Sequence, residues 1–225
     1  VPQNHKIVSG VIQVHSDRCG GMSLELSLEA ARETGVDFIV FTELEPDQKS
    51  RKLSGWYGDV LVLVGEEVRQ FNGEFMAFDC PEWVHSENEI NSSISKVHRH
   101  SGTICGTSTY EHNGIEKRSF APVLNFSKMD MISIWSFLDE FVTRVSGDRA
   151  TIFQQRPERV IYGPPKENIR AWDQEQTERN FPAVGCVNAI MRKDPLLQWK
   201  EFFSFRTSFK TIRTAILIND KLPED

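Results

Sequence analysis

The chain has 225 residues, with 32 acidic and 26 basic side chains, a formal net charge of −6 and 39% hydrophobic residues. That balance offers no basic face to phosphate backbones, and no local block of Lys and Arg supplies one, so nucleic acid is not expected as a partner. No segment reaches the roughly 20 consecutive apolar residues of a membrane helix, so no membrane contact is expected, and the length suits one α/β barrel with a full core.

In chain order, strands are expected at Ile7–Val14, Asp37–Thr42, Val60–Gly65, Glu74–Phe78, Thr103–Thr107, Met131–Trp135, Ala183–Val187 and Thr214–Ile218, several of them apolar throughout as strands covered on both faces are. Between the first two lies a helix over Ser23–Thr34: Ser23 is placed to cap it, Leu24, Leu28 and Ala31 recur on one face, and Gly35 ends it. A second helix is expected around Ile90–His100, with His98 and His100 as helix-end residues favoured by the C-terminal dipole. The stretches Glu111–Phe126 and Arg144–Ile169 read as loops, with His112 in an Asn-Gly turn. Alternating strands and crossovers predict a distorted parallel (β/α) barrel. One domain over residues 1–225 is the default, with 200–225 carrying a closing strand. Further domains after Asp225, a removed leader before Val1 and the compartment stay open.

Cys19, Cys80, Cys105 and Cys186 are scattered, without a paired zinc spacing, and Cys105 reads as a small buried hydrophobe. There is no Gly-x-Ser-x-Gly elbow, P-loop or His-Glu-x-x-His. In a parallel barrel the reactive side chains sit where strands end. Those ends bring Gln13, His15 and Asp17 from the first strand, Thr42 and Glu43 from the second, Glu66 and Glu67 from the third, then Thr107, and finally Cys186 and Asn188. A Cys19, Cys186 and His15 zinc site is a minor alternative. Trp56, Tyr57, Trp135, Tyr162 and Trp172 are candidates for lining an apolar pocket or for plain core.

These blocks, in this order, resemble the PHP (polymerase and histidinol phosphatase) domain. Gln13-Val14-His15 stands where that family has His-x-His, and Thr42-Glu43-Leu44 where it has Thr-Asp-His. Gly65-Glu66-Glu67-Val68 is similar to its Gly-x-Glu-Val. Glu74, Thr107 and Ser133 stand at a histidine, a histidine and an acid, and Asn188 and Ile190 at the Asp and His of its last motif. The tail Ser204–Ile218 looks like the carbaryl-hydrolase-like branch. The resemblance implies a (β/α)7-type, TIM-like barrel and an ancestral chemistry in which two or three metals activate water on phosphate esters. It also implies that this chain keeps only His15, Glu43 and Glu67 as metal ligands, with Gln13, Asp17, Arg18, Glu74, Thr107 and Asn188 at the rim. Leu44 and Ile190 cannot ligate a metal.

Two expectations follow. In the first, the chain is a degenerate relative without metal or other cofactor, serving as a binding or scaffold domain for a small molecule or an unnamed protein partner. In the alternative it is a residual hydrolase using one Mg²⁺, Mn²⁺ or Zn²⁺ ion on His15, Glu43 and Glu67. Arg18, at the first loop, is a further candidate for holding a phosphate or carboxylate without metal.

Overall fold

The computed structural model describes residues 5–44, 46–70, 73–84, 89–107, 126–144, 156, 159–190 and 204–219. The expected turn at His112, the isolated His85 and most of the two expected loops lie outside these residues.

The strands are β1 (His5–Val14), β2 (Phe38–Glu43), β3 (Gly55–Tyr57), β4 (Val60–Gln70), β5 (Gly73–Phe78), β6 (Thr103–Gly106), β7 (Met131–Ser136), β8 (Ala183–Cys186) and β9 (Thr214–Asn219). The helices are α1 (Leu24–Thr34), α2 (Gln48–Arg51), α3 (Ile90–Arg99), α4 (Phe137–Arg144), α5 (Lys166–Gln176) and α6 (Phe205–Ser208). Among the described residues nine strands form one sheet, eight of them in the order β8-β7-β6-β5-β4-β2-β1-β9 and β3 paired to β4 off that path. The sheet nearly closes on itself, because the chain after β8 returns to β1: Val187 N donates to Ile12 O at 2.9 Å, Ala189 N to Gln13 O at 2.9 Å and His15 N to Ala189 O at 3.0 Å.

The expected all-parallel order holds for β1-β2-β4 and for β6-β7-β8. It fails at β5, which runs antiparallel to both of its neighbours. Strand β4 runs on past Gly65 to Gln70, so only two residues connect it to β5, and a parallel crossover needs a dozen or more. Nor does the tail close the barrel: β9 lies antiparallel to the first half of β1, from His5↔Asn219 to Gly10↔Thr214.

Side chains alternate across these strands and sort into two environments. Outside the sheet, Val11, Ile39, Phe41 and Val62 pack under Leu28, Ala30 and Ala31 of α1, and Phe75, Ile104 and Ile132 pack under Ile90, Ile94 and Val97 of α3. Inside, Ile12, Phe38, Val40, Met76, Cys105 and Cys186 fill the barrel. Each fully buried Ile or Phe contributes about 2 kcal/mol relative to exposure. Helix α1 is capped as its sequence suggests, with Leu26 N donating to Ser23 Oγ at 3.4 Å and Gly35 left-handed at φ 67°. At the end of α3, His98 sits 3.3 Å from Asp130 and His100 3.7 Å from Glu82, both surface pairs that fit their reading as helix-end residues.

Candidate functional site

The inner face at the mouth of the barrel is built by alternation and one bulge. The β1–β2 register shifts between Ile12 and Val14, and Gln13 adopts φ 65°. A bulge of this kind re-aims side chains. Val14 points outward into the α1 core, while Gln13 and His15 both turn inward and meet Glu67 of β4.

Glu67 is the centre of the site, with a fully buried side chain. Its Oε1 accepts from Arg69 Nε at 2.6 Å and pairs with Arg69 Nη2 at 2.5 Å. Its Oε2 accepts from Gln13 Nε2 at 3.1 Å and Thr42 Oγ1 at 3.5 Å, and lies 3.5 Å from His15 Nε2. Arg69 follows Glu67 by two residues on the same face, so its guanidinium folds back over the carboxylate from a half-exposed position. It also reaches Glu74 Oε2 at 3.6 Å. Burial disfavours the Arg69 charge, yet Glu67 and then Glu74 hold it protonated above its ordinary range. Thr107 Oγ1 lies 3.2 Å from Glu74 Oε1.

His15 is held from its other flank by Asn188, whose Oδ1 is 3.3 Å from His15 Nε2. Both neighbours of Nε2, Asn188 Oδ1 and Glu67 Oε2, are acceptors, so Nε2 carries the proton, an assignment made from the hydrogen-bond network. Asn188 Nδ2 in turn lies 3.3 and 3.4 Å from the Asp139 oxygens, and Ser136 Oγ donates to Asp139. A continuous polar network therefore runs from Asp139 through Asn188, His15 and Glu67 to Arg69, Glu74 and Thr107.

Burial raises the Asp139 carboxyl above its usual range against the bonds from Ser136 and Asn188. Burial, then Glu67, raises Glu74. A carboxyl whose folded pKa exceeds its unfolded one adds nothing below the unfolded value, and it destabilises increasingly as pH rises through the folded value. In urea titrations, Asp139→Asn is therefore expected to be more stable than wild type at about pH 8, the gap closing as pH falls towards about 4. A gap that widens on acidification would contradict this account of Asp139.

The other sequence candidates are placed elsewhere. Glu43 lies in register with Glu66, so by alternation it is on the opposite face of β2 from Thr42. There its Oε2 accepts from Ser16 Oγ at 3.0 Å and Cys19 Sγ at 3.0 Å. It does not join His15 and Glu67. Asp17 is exposed, and Arg18 Nη1 donates to Asp47 Oδ1 at 2.5 Å. The Ser50 N–H, then Arg18, hold the Asp47 carboxyl down at about 2, so Arg18 already has its anion. Cys19 stands with Glu43, whereas Cys186 is inside the barrel with Cys105. Burial pushes the Cys186 thiol up to about 12 and Cys105 well above its usual range, so both act as small core residues. Trp56 and Tyr162 are exposed, and Trp172 donates to Phe181 O at 2.6 Å beside the α3 core. These aromatics do not line the mouth.

Sequence reasoning missed Arg69 and Asp139. For Arg69 the signal was available, since residues two apart on a strand share a face. For Asp139, in the first turn of a helix that starts directly at a strand end, there was none.

The donor chemistry can be tested against a two- or three-metal centre. Such a centre needs imidazole lone pairs and free carboxylate oxygens converging on one point. Here the Glu67 oxygens are taken by Arg69, Gln13 and Thr42, the His15 nitrogen facing Glu67 bears a proton, and the neighbours Gln13, Thr107 and Asn188 are neutral. Among the described residues, no group of three or more His, Cys, Asp or Glu side chains is placed to hold a metal ion. The residues present do not fit the multi-metal group.

No family model and no curated protein match the chain. Among solved structures, it is similar to a two-domain protein containing a predicted PHP-like metal-dependent phosphoesterase from Bacteroides vulgatus ATCC 8482, with a TM-score of 0.50 and 12% identity, over 96% of this chain and 67% of that one. The fold is PHP-like. A second similar structure is PsfC from Pseudomonas syringae PB-5123, with a TM-score of 0.47 and 9% identity, over 96% of this chain and 92% of that one. At such identities the likeness to the Bacteroides protein concerns the fold alone, and the chemistry of the PHP-like barrel must be argued from its own mouth.

Proposed function

We propose that this PHP-like domain derives from metal-dependent phosphoesterases, has lost the multi-metal site and acts as a binding or scaffold domain. The observation that carries the reading is Arg69. Its guanidinium occupies Glu67 Oε1 through two nitrogens, at 2.6 and 2.5 Å, and so supplies from within the chain the positive charge that a buried carboxylate requires. Gln13, Thr107 and Asn188, at positions where the family pattern has ligands, complete the network as neutral hydrogen-bonding groups. The mouth is a connected polar network, which suits recognition of a small polar molecule better than activation of water.

The test is elemental analysis of the purified protein, as isolated and after exposure to Mn²⁺, Zn²⁺ and Mg²⁺ followed by dialysis. No retained ion is expected, and two or more tightly held ions per chain would overturn the reading. A second reading, a hydrolase with one hard cation, loses Glu43 from its expected ligands His15, Glu43 and Glu67, because that side chain lies on the other face of β2, and draws its support from His15 Nδ1, buried without a hydrogen-bond partner. Retention of a single ion, lost in Glu67→Gln, would favour it.

A further inference from the structure

A second polar site lies away from the mouth, on the outer face of β4. Arg51 is the last residue of α2, and its guanidinium stacks on Trp83 with Cζ 4.1 Å from the ring centroid. Arginine has five N–H donors and no acceptor, and its Nε and Nη2 form the edge that grips a carboxylate through two parallel hydrogen bonds. Both of those atoms are buried and neither has a hydrogen-bond partner. The indole Nε1 of Trp83 is buried and unpaired as well. Orphaned buried donors cost about 1–3 kcal/mol each and call for an explanation, a missing ligand among them. Three of them belong to two stacked side chains that both line a cavity of about 270 Å³, together with Ser54, Val64, Asp79 and Cys80.

We propose that this cavity binds a small monoanionic carboxylate, seated side-on against Nε and Nη2 of Arg51, with the Trp83 N–H as a further donor. The charges nearby select the monoanion. Asp79 lines the same cavity, and neither a hydrogen bond nor an ion pair links it to Arg51. A single guanidinium balances one negative charge, and Asp79 in the same lining disfavours the second charge of a dianion such as phosphate. A carboxylate matches the planar fork of Arg51, and Val64, Cys80 and the Trp83 ring give an apolar body somewhere to lie. Since Nε and Nη2 are covered in the unliganded chain, binding requires a small movement of the Trp83 segment, which ties the ligand to the indole signal. The proposal is independent of what the Glu67 site does.

The test is titration of the folded protein with acetate, and separately with inorganic phosphate, following the Trp83 indole N–H resonance assigned with Trp83→Phe. Acetate is expected to move that resonance saturably and to raise the melting temperature by ligand linkage, with phosphate weaker. Arg51→Lys keeps the charge but loses the fork, and should weaken the acetate effect about tenfold or more. An indole resonance that acetate does not move, or moves equally in a folded Arg51→Lys variant, overturns the site. A response to phosphate without one to acetate overturns the carboxylate assignment. If Arg51→Lys does not fold, the wild-type comparison of the two anions decides.

Discussion

Replacing Arg69 with methionine is expected to destabilise the chain by about 2 kcal/mol, measured as a shift in urea unfolding. Removing one partner of a buried ion pair costs roughly 3–5 kcal/mol because the other charge is stranded, and the Arg69 side chain is 47% exposed, so water recovers part of that. Glu67 itself is fully buried. Its remaining donors, Gln13 and Thr42, are neutral and do not replace the lost charge. The double variant Arg69→Met with Glu67→Gln should recover most of the loss, because an amide in place of the carboxylate leaves no charge unpaired. The same pair of variants probes the proposed function. If the guanidinium has taken over the role of a cation, Arg69→Met alone should gain stability from added Mn²⁺ or Mg²⁺, and the double variant should not. An Arg69→Met protein as stable as wild type would show that the Glu67 charge is settled by other groups, and would remove the central support for a metal-independent site.

Gly21→Ala is expected to cost about 3 kcal/mol, at the upper end for overpacking. A Cβ at this position would lie 1.6 Å from the backbone oxygen of His15. Backbone cannot swing aside as a side-chain tip can. The loop after β1 folds back on the strand that carries the site: Gly21 N donates to Ser16 O at 2.7 Å and Met22 N to His15 O at 3.3 Å. Gly20, at φ 82°, makes the turn that allows it. Relieving the clash means lifting this loop, which also carries Cys19 and its bond to Glu43. Urea unfolding measures the cost, and a Gly21→Ala protein within about 0.5 kcal/mol of wild type, the range of ordinary surface substitutions, would contradict the close approach.

Most strands were legible because a strand covered on both faces must be apolar along its length, and such runs are visible without any partner. Strand β3 was not, since Gly55-Trp56-Tyr57 is too short to show a period. Helices α4 and α5 were missed for different reasons. The first starts at Phe137 directly from β7, and the second follows Pro164 and Pro165 in a stretch whose prolines suggested a loop. The direction of β5 was half legible. Alternation is the same in parallel and antiparallel strands, and the polar pair Glu66-Glu67 made the preceding strand look finished at Gly65. The Asn72-Gly73 pair was a hairpin signal that would have corrected this.

At the site, sequence order alone put His15 and Glu67 at strand ends, and the structure brings them to within 3.5 Å. Glu43 was grouped with them by position along its strand, but which face a residue takes depends on the register of the whole strand. Thr42 took the inner face, and Glu43 the outer. The sequence by itself determined most of the strands and the polar character of the mouth, because periodicity and residue type are local properties. Only the tertiary structure decided how the buried Glu67 charge is neutralised. That depends on side chains converging from segments 54 residues apart, as for Gln13 and Glu67, or 173 apart, as for His15 and Asn188, and on Arg69 folding back over its own strand, which no local pattern records.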